Sequence, residues 1–265
     1  HGLPVGKFAV IERAEDLRDA PAALFPGILK TATLGYDGKG QQRVTSTTQA
    51  LLAWMNMKQA PCVLEAMIPF EREISVLAAR SASGDVRVWP VQENQHVTGI
   101  LDLTIVPARL SADVLEQAQA LARRLVAALD YVGVLCVEMF VTADGLLLNE
   151  IAPRPHNSGH YTIEACETSQ FEQQVRVLVD APLGSAALVQ PCVMVNLLGD
   201  VWFDAATAMQ PAWDEVLSLP GAHLHLYGKA EARRSRKMGH VTCTAATLDD
   251  ALATAAAVKQ VLRIP

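Results

Sequence analysis

The sequence lacks the features that mark membrane and nucleic-acid-binding proteins. No apolar run approaches the length of a membrane span, and no secretory signal peptide is visible. The 22 Lys and Arg residues are outnumbered by 28 Asp and Glu residues, so the chain has no general basic field. We therefore expect no membrane partner and no nucleic-acid partner.

Cysteine pairs with the spacing of metal ligands or of a disulfide framework are also missing. The five cysteines are scattered singly: Cys62, Cys136, Cys166, Cys192 and Cys243. Most lie in apolar segments, so we expect reduced core thiols in a cytoplasmic protein. The sequence opens at His1 without an initiator Met, and we expect the numbering to begin inside a longer gene product or to follow a tag.

The 265 residues, 51% of them apolar, predict a large core divided into more than one subdomain. Strand and helix patterns follow one another without regular β-α-β alternation, which indicates the α+β class. Thr47 or Thr48 is predicted to cap a helix reaching Met57. The polar stretch from Glu93 to His96 is predicted to be a loop.

Two acidic residues end neighbouring predicted strands. One strand contains Glu138, a turn follows at residues 142–145, and the second strand ends in Asn149 and Glu150. If the strands pair, the two carboxylates lie near each other with the Asn149 amide beside them. Such oxygen ligands suit Mg²⁺ holding phosphate oxygens, although charges on the rim of an ordinary hairpin would give the same pattern.

The glycine-rich segment Gly35–Gln41 lies between two predicted strands. It does not have the spacing of a Walker A loop, but its backbone N–H groups and Lys39 could surround a phosphate and close over a nucleotide as a lid. A flexible hairpin tip is the alternative interpretation. Lys30 lies on the strand that leads into the segment, where it could point to phosphates or to solvent.

Two further polar segments complete the set of candidates. Arg154, His156, Asn157 and His160 lie within seven residues of one another, between stiffening prolines, and could hold a small anion. The stretch Lys229–His240 carries five Lys and Arg residues. It could bind a phosphate monoester or form a solvated basic face.

Four segments together resemble the ATP-grasp ligases: Gly35–Gln41, Glu65–Glu73, Asn149–His160 and Tyr227–His240. Within them the sequence is similar to the 5-(carboxyamino)imidazole ribonucleotide synthases, also called N5-carboxyaminoimidazole ribonucleotide synthases. The resemblance covers essentially the whole chain. It implies an ATP-grasp fold with a lid subdomain at residues 1–65, a mixed-sheet core at 66–184 and a β-rich C-terminal subdomain at 185–265.

The resemblance also implies a function. The reaction would be the ATP- and bicarbonate-dependent carboxylation of 5-aminoimidazole ribonucleotide, through carboxyphosphate, in purine biosynthesis. ATP with Mg²⁺, or with Mn²⁺ in its place, would be the cofactors, and a homodimer is the expected assembly. The alternatives are another ATP-grasp ligase, such as a formate-dependent glycinamide ribonucleotide transformylase, or a truncated ATP-binding fragment without activity.

Individual roles follow from the same resemblance. ATP would be bound by Lys30, Gly35, Tyr36, Asp37, Gly38, Lys39, Gly40, Gln41, Glu65, Ala66, Met67, Ile68, Glu73, His96, Asn149 and Glu150. Glu138 and Glu150 would bind the metal. Arg154, His156 and Asn157 would form the bicarbonate site, and Tyr36, His156, Lys229 and Arg236 would contact the ribonucleotide.

The sequence departs from the family at its start. The family begins with an α/β domain, whereas residues 2–5 here resemble the start of its second domain. We expect the family's N-terminal arginine contact to ATP, and part of the ribonucleotide pocket, to have no counterpart in this sequence.

Overall fold

Two antiparallel sheets organise the chain, which the computed structural model describes over residues 1–33, 40–204 and 207–265. The smaller sheet has the strand order β1-β4-β2-β3. Its strands are β1 (Phe8–Ile11), β2 (Gly27–Thr31), β3 (Gln41–Val44) and β4 (Cys62–Ala66). Helices α1 (Ala14–Arg18) and α2 (Thr47–Asn56) pack on it around a core that includes Ile11, Leu17, Leu29 and Leu64.

The larger sheet has nine strands, in the order β10-β9-β5-β7-β8-β11-β15-β14, with β6 paired to β5. Its strands are β5 (Arg72–Arg80), β6 (Val86–Val88), β7 (Gln92–Val97), β8 (Ile100–Val106), β9 (Gly133–Thr142), β10 (Gly145–Ala152), β11 (Cys192–Leu198), β14 (Ala222–Leu226) and β15 (Lys237–Thr244). Strands β12 (Phe203–Asp204) and β13 (Thr207–Ala208) form a separate pair. This mixture of sheets and helices confirms the predicted α+β class.

Helices cover both faces of the larger sheet. They are α3 (Ala112–Ala128), α4 (Thr162–Ala165), α5 (Gln170–Leu178), α6 (Trp213–Leu217) and α7 (Leu248–Val261). The apolar stripe of α3, with Leu121 and Leu125, packs on Val76 and Val137 of β5 and β9. Within the described ranges, no helix is both long enough and apolar enough to cross a membrane.

Two local predictions are wrong. Ser46, not Thr47 or Thr48, caps α2, because its hydroxyl accepts a hydrogen bond from the Gln49 amide at 3.4 Å. The predicted loop at Glu93–His96 is part of β7, which pairs with β5 on one side and β8 on the other. Its polar side chains occupy a strand because hydrogen bonds and ion pairs, described below, offset the cost of burying them.

The predicted subdomain boundaries at residues 65 and 184 stay predictions. The larger sheet continues across the second of them, since β8 pairs with β11 over Leu103–Val106 and Cys192–Val195. The C-terminal segment is therefore tied to the same sheet that carries the acidic hairpin.

Candidate functional site

Glu138 and Glu150 face each other across the β9–β10 hairpin, which confirms the predicted juxtaposition. A β-bulge at Asn149 produces this register, because the pairing shifts between Leu148 and Glu150. Without the extra residue, Asn149 would oppose Glu138, and Glu150 would oppose Val137 on the opposite sheet face. The bulge is therefore what brings the two carboxylates to one face.

The Glu138 carboxylate is electrostatically unfavourable in this position. Burial, and then the charge of Glu150, raise its pKa to about 7. A divalent cation held by both groups would offset that repulsion, and carboxylate oxygens are the ligands that Mg²⁺ prefers. The donor set thus fits Mg²⁺, or Mn²⁺, with Glu138 and Glu150 as the candidate ligands.

Glu73 and His96 lie on the same face of the sheet, in β5 and β7. His96 Nδ1 is 2.5 Å from Glu73 Oε2. Burial by itself would lower the pKa of His96, but contact with Glu73, together with the charge of Glu138, outweighs burial and raises it. His96 is therefore a half-buried strand residue within the field of the acidic pair, rather than the solvated loop residue that the sequence indicated.

A buried chain of hydrogen bonds runs below this acidic group. Gln92 Nε2 donates to the Pro90 carbonyl at 3.0 Å and to the Tyr161 hydroxyl at 2.8 Å. Its Oε1 is therefore an acceptor, and Ser75 Oγ donates to it at 2.8 Å. Asn94 Nδ2 donates to the same Ser75 oxygen at 2.8 Å. The orientation of the Gln92 amide thus fixes which group donates in each hydrogen bond of this network.

This order of donors assigns the tautomer of His156. Since Ser75 gives its only proton to Gln92, Ser158 Oγ donates to Ser75 at 2.9 Å and accepts from His156 Nδ1 at 2.9 Å. The Ser158 amide N–H also points to Nδ1, at 3.4 Å, and this longer hydrogen bond is given up when Nδ1 carries the proton. His156 Nε2 then carries a lone pair, 3.5 Å from Glu138 Oε1.

The His156 ring is neutral and held in place. Burial, followed by the charge of Arg154, lowers the pKa of His156 to about 3. Gln170 clamps its backbone, accepting from the His156 amide at 2.8 Å and donating to its carbonyl at 2.7 Å. A neutral imidazole with an exposed lone pair is able to accept a proton from a substrate.

Asn157, the next residue, has unsatisfied hydrogen-bonding capacity. Its side chain is buried, and neither its amide nitrogen nor its amide oxygen has a partner among the residues that the structure describes. Leaving such groups unpaired costs about 1–3 kcal/mol each. Together with exposed Arg154, this amide is suited to bind a small polar ligand at the loop.

A cavity of about 220 Å³ separates the smaller sheet from the acidic hairpin. Its lining residues are Val5, Gly6, Phe8, Val63, Glu65, Ile68, Phe140, Leu148 and Asn149. Three of the residues predicted to bind ATP, Glu65, Ile68 and Asn149, therefore share one cavity. Lys30 reaches the same place, because its Nζ lies 2.6 Å from Glu65 Oε2.

The connector after β4 has limited backbone capacity for a purine. The amide of Ala66 donates to the Lys7 carbonyl and that of Met67 to the Pro26 carbonyl, both at 2.9 Å. These two N–H groups are used within the fold. A ligand at this connector would depend on its other backbone atoms and on its side chains.

Most of the glycine-rich segment, namely Gly35, Tyr36, Asp37, Gly38 and Lys39, lies outside the described residues. Gly40 and Gln41 follow them. The Gly40 carbonyl accepts from the Thr31 amide at 2.8 Å, and Gly40 has a φ of +75°, which favours glycine. The C-terminal end of the segment is therefore held beside β2, the strand that carries Lys30.

The basic stretch Lys229–His240 lies next to the loop that carries His156 and His160, since His240 stacks on His160. Lys229 Nζ donates to the Lys237 carbonyl at 2.5 Å, and Arg236 Nη1 donates to the Glu231 carbonyl at 3.0 Å. Both side chains belong to exposed residues. Tyr227 ties this stretch to the loop, since its hydroxyl is 3.0 Å from His160 Nδ1.

Sequence patterns do not distinguish Lys237 from the other cations of the basic stretch. In the structure its charge lowers the pKa values of Glu138, His156 and His160. The polar network was missed as well. Gln92, Asn94 and His96 lie on one face of β7, but the run from 92 to 96 is polar at every position and has no alternation that would indicate a strand.

Two protein-family models match the chain. Residues 1–171 match the ATP-grasp domain family, and residues 192–254 match the family described as the phosphoribosylaminoimidazole carboxylase C-terminal domain. The N5-carboxyaminoimidazole ribonucleotide synthase of Brucella melitensis is 48% identical over 245 residues, which are 91% of this chain and 66% of that protein. The chain thus spans less than two thirds of the length of this curated relative.

Two solved structures are similar to the fold. One is an ADP complex of an N5-carboxyaminoimidazole ribonucleotide synthetase, with a TM-score of 0.88 and 45% identity, covering 99% of this chain and 68% of that one. The other is the Aspergillus clavatus N5-carboxyaminoimidazole synthase with ADP and 5-aminoimidazole ribonucleotide, with a TM-score of 0.86 and 35% identity. It covers 99% of this chain and 69% of that one.

Proposed function

Because the chain belongs to the N5-carboxyaminoimidazole ribonucleotide synthase family of ATP-grasp proteins, we propose that it carboxylates 5-aminoimidazole ribonucleotide with ATP and bicarbonate. The products would be N5-carboxyaminoimidazole ribonucleotide, ADP and phosphate. One observation carries the proposal. The facing carboxylates of Glu138 and Glu150 lie beside a neutral His156, which a directed hydrogen-bond chain holds with its Nε2 lone pair toward them.

ATP occupies the cavity between the two sheets in this proposal. Ile68 and Phe140 supply apolar surface for the purine, and Glu65 and Asn149 supply polar groups at the cavity wall. Lys30, now paired with Glu65, moves to the phosphates when they arrive, which exchanges a half-exposed ion pair for a phosphate contact. Glu73 binds the ribose of ATP, and His96 makes a further contact to the nucleotide.

The proposed phosphoryl transfer takes place at the acidic hairpin. Mg²⁺ on Glu138 and Glu150 would neutralise charge on the β- and γ-phosphates when bound. Arg154 and the unsatisfied amide of Asn157 hold bicarbonate in line with the γ-phosphate, which makes attack effectively intramolecular. The product of this step is carboxyphosphate, which must be protected from water.

Carboxylation of the ribonucleotide follows next to the same loop. Lys229 and Arg236 bind its phosphate, and Tyr36 contacts the substrate from the glycine-rich segment. The exocyclic amine attacks the activated carboxyl carbon, forming the C–N bond as the bond to phosphate breaks. His156 Nε2 takes the amine proton, because the ring is neutral and Nε2 carries its lone pair.

The test is ADP release by this chain in the presence of ATP and Mg²⁺. We expect release to require bicarbonate and to rise at least tenfold on addition of 5-aminoimidazole ribonucleotide, with N5-carboxyaminoimidazole ribonucleotide as the trapped product. Stimulation by formate with glycinamide ribonucleotide, instead of bicarbonate, would assign the chain to a different ATP-grasp ligase. ATP binding without stimulation by either substrate would identify a nucleotide-binding fragment.

A further inference from the structure

A second cluster of ligand-type side chains lies behind the loop, away from the acidic hairpin. His225 of β14 and His240 of β15 are directly opposed in the sheet, so their side chains share one face. Glu164 of α4 reaches this pair from the adjacent layer, and its Oε1 lies 2.6 Å from His225 Nε2. One ligand atom from each of the three residues lies within 4.8 Å of the others.

Two polar atoms of this cluster are buried without a hydrogen-bond partner in the part of the chain that the structure describes. They are His240 Nε2 and Glu164 Oε2. His240 is only 1% exposed, so solvent does not satisfy its ring nitrogen. The opposite nitrogen, His240 Nδ1, is 2.9 Å from the Tyr227 hydroxyl. This bond orients the ring from behind, as outer hydrogen bonds do for metal-binding histidines.

The hydrogen bonds around His240 suit a metal ligand. The Tyr227 hydroxyl lies between His240 Nδ1 and His160 Nδ1, and it can donate to only one of them. If His240 donates to Tyr227 and Tyr227 donates to His160, a lone pair remains on the buried His240 Nε2. That arrangement avoids a buried N–H group without a partner.

We propose that Glu164, His225 and His240 form a binding site for a borderline transition-metal cation of the Zn²⁺ class. Two imidazole nitrogens and one carboxylate oxygen are a donor set that such cations take, with water in the fourth position. The rings of His225 and His240 now stack with their centroids 4.5 Å apart. The His225 side chain is 33% exposed, and the cation would replace its direct contact with Glu164.

The site would join α4, β14 and β15 next to the loop segment His156–His160. Glu164 follows the His156–His160 segment in the chain, and His225 precedes Lys229 by four residues. His160 stacks on His240 with a centroid distance of 4.8 Å. A bound cation would therefore fix α4 to the β14–β15 pair. The inference does not depend on the proposed reaction, because it concerns binding alone.

Equilibrium dialysis of the intact chain against Zn²⁺ tests the proposal. Saturating Mg²⁺ is present throughout, so that the acidic hairpin does not collect Zn²⁺. We expect about one Zn²⁺ per chain, and at least tenfold weaker binding in Glu164→Gln and in His225→Asn. His223→Asn is the matched control, because His223 lies two residues along the same strand but bonds to Thr244 instead. It should bind Zn²⁺ like the wild type.

A second measurement separates ligation from nonspecific uptake. Co²⁺ in place of Zn²⁺ should give a visible absorption band that the control retains and both variants lose. Circular dichroism of the metal-free proteins checks that the variants fold. If the wild type retains no more Zn²⁺ than His225→Asn does, or if all four proteins bind alike, the site is wrong and a water molecule satisfies the two buried atoms.

Discussion

Where Ser75 of β5 pairs with Glu138 of β9, the two faces of the sheet carry opposite kinds of residues. On one face, Ile74, Val137 and Met139 are at most 1% exposed and pack in the apolar cluster that includes α3. On the other face, at the neighbouring positions, Ser75 and Glu138 face the polar loop after β10. The period of two along a strand thus separates packing from chemistry within the same few residues.

The faces differ in what they contribute to stability. The apolar face removes hydrocarbon from water, at about 25 cal/mol per Å². The polar face carries a carboxyl group whose pKa burial and Glu150 raise to about 7, which means that the charged form is disfavoured in the folded protein. Such a position is retained at a functional site at the expense of stability. Substitutions on the two faces should therefore separate activity from folding.

The largest effect is expected for Glu150→Gln. It removes one proposed metal ligand and should reduce kcat at least 10³-fold, or about 4 kcal/mol of transition-state stabilisation. It also removes the repulsion with Glu138, so the free energy of unfolding should not fall. Initial rates of ADP release and urea unfolding measure the two quantities.

The matched control for Glu150→Gln is Asp144→Asn, which removes a carboxylate from the exposed turn of the same hairpin. Its rate should stay within about twofold of the wild type, since surface charges away from special features contribute little. Equal rates for wild type and Glu150→Gln would refute the metal role of the hairpin.

For Met139→Ala, on the apolar face, we expect stability to fall while activity stays nearly unchanged. Met139 is buried and adjacent to Glu138, but it points into the α3 cluster. Truncation should lower the free energy of unfolding by about 3 kcal/mol, because it removes buried contacts and leaves a cavity. Below the unfolding transition, kcat should change less than threefold. A loss of kcat comparable with that of Glu150→Gln would show that the two faces are not separable.

Much of this arrangement could be predicted from the sequence, because it depends on local patterns. The hairpin of Glu138 and Glu150 follows from two apolar strands around a short turn, and pairing brings their acids together. The buried residues of α3, such as Ala118, Leu121 and Leu125, recur at helical spacing, which is also a local pattern. These features need no knowledge of distant residues.

The polar network could not be predicted in the same way. Ser75 and Ser158 are 83 residues apart, and the pairing of β5 with β9 and of β9 with β10 brings them within 2.9 Å of each other. The run Glu93–His96 was predicted as a loop because its composition is polar. Burial of those side chains is favourable only with partners from other segments, such as Arg109, which binds Glu93 through its Nε at 3.0 Å.

The acidic face should also make stability depend on pH when no divalent cation is present. Glu138 has a folded-state pKa of about 7 against an ordinary value of 4.5. Below about pH 4.5 the group is protonated in both states. As the pH rises towards 7 the unfolded state loses its proton first, so this group destabilises the fold by about 2 kcal/mol between pH 5 and 8.

The comparison with Glu138→Gln isolates that effect from other groups. Buried His156 acts in the opposite direction, since its lowered pKa makes the folded state more stable as the pH rises through its unfolded value. His156 is present in both proteins, so the comparison removes most of its contribution, whereas the raised pKa of His96 depends partly on Glu138 and changes with it. Urea unfolding in EDTA should show a larger loss of unfolding free energy between pH 5 and pH 8 in the wild type than in Glu138→Gln. An equal loss in both proteins would disprove the unfavourable burial of the Glu138 carboxylate.

The smallest effect is expected where the polar face acts through orientation, in Ser158→Ala. The hydroxyl accepts from His156 Nδ1, so its removal frees the ring to adopt the other tautomer, with a proton on Nε2. We expect kcat to fall about tenfold, or about 1.4 kcal/mol, with little change in KM for ATP. Nitrogen NMR of the His156 ring should show the change of tautomer. Ser83→Ala, in an exposed turn, is the control and should leave both readouts unchanged. If Ser158→Ala lowers kcat while the tautomer stays the same, the serine acts by packing alone, and the orienting role of the network is wrong.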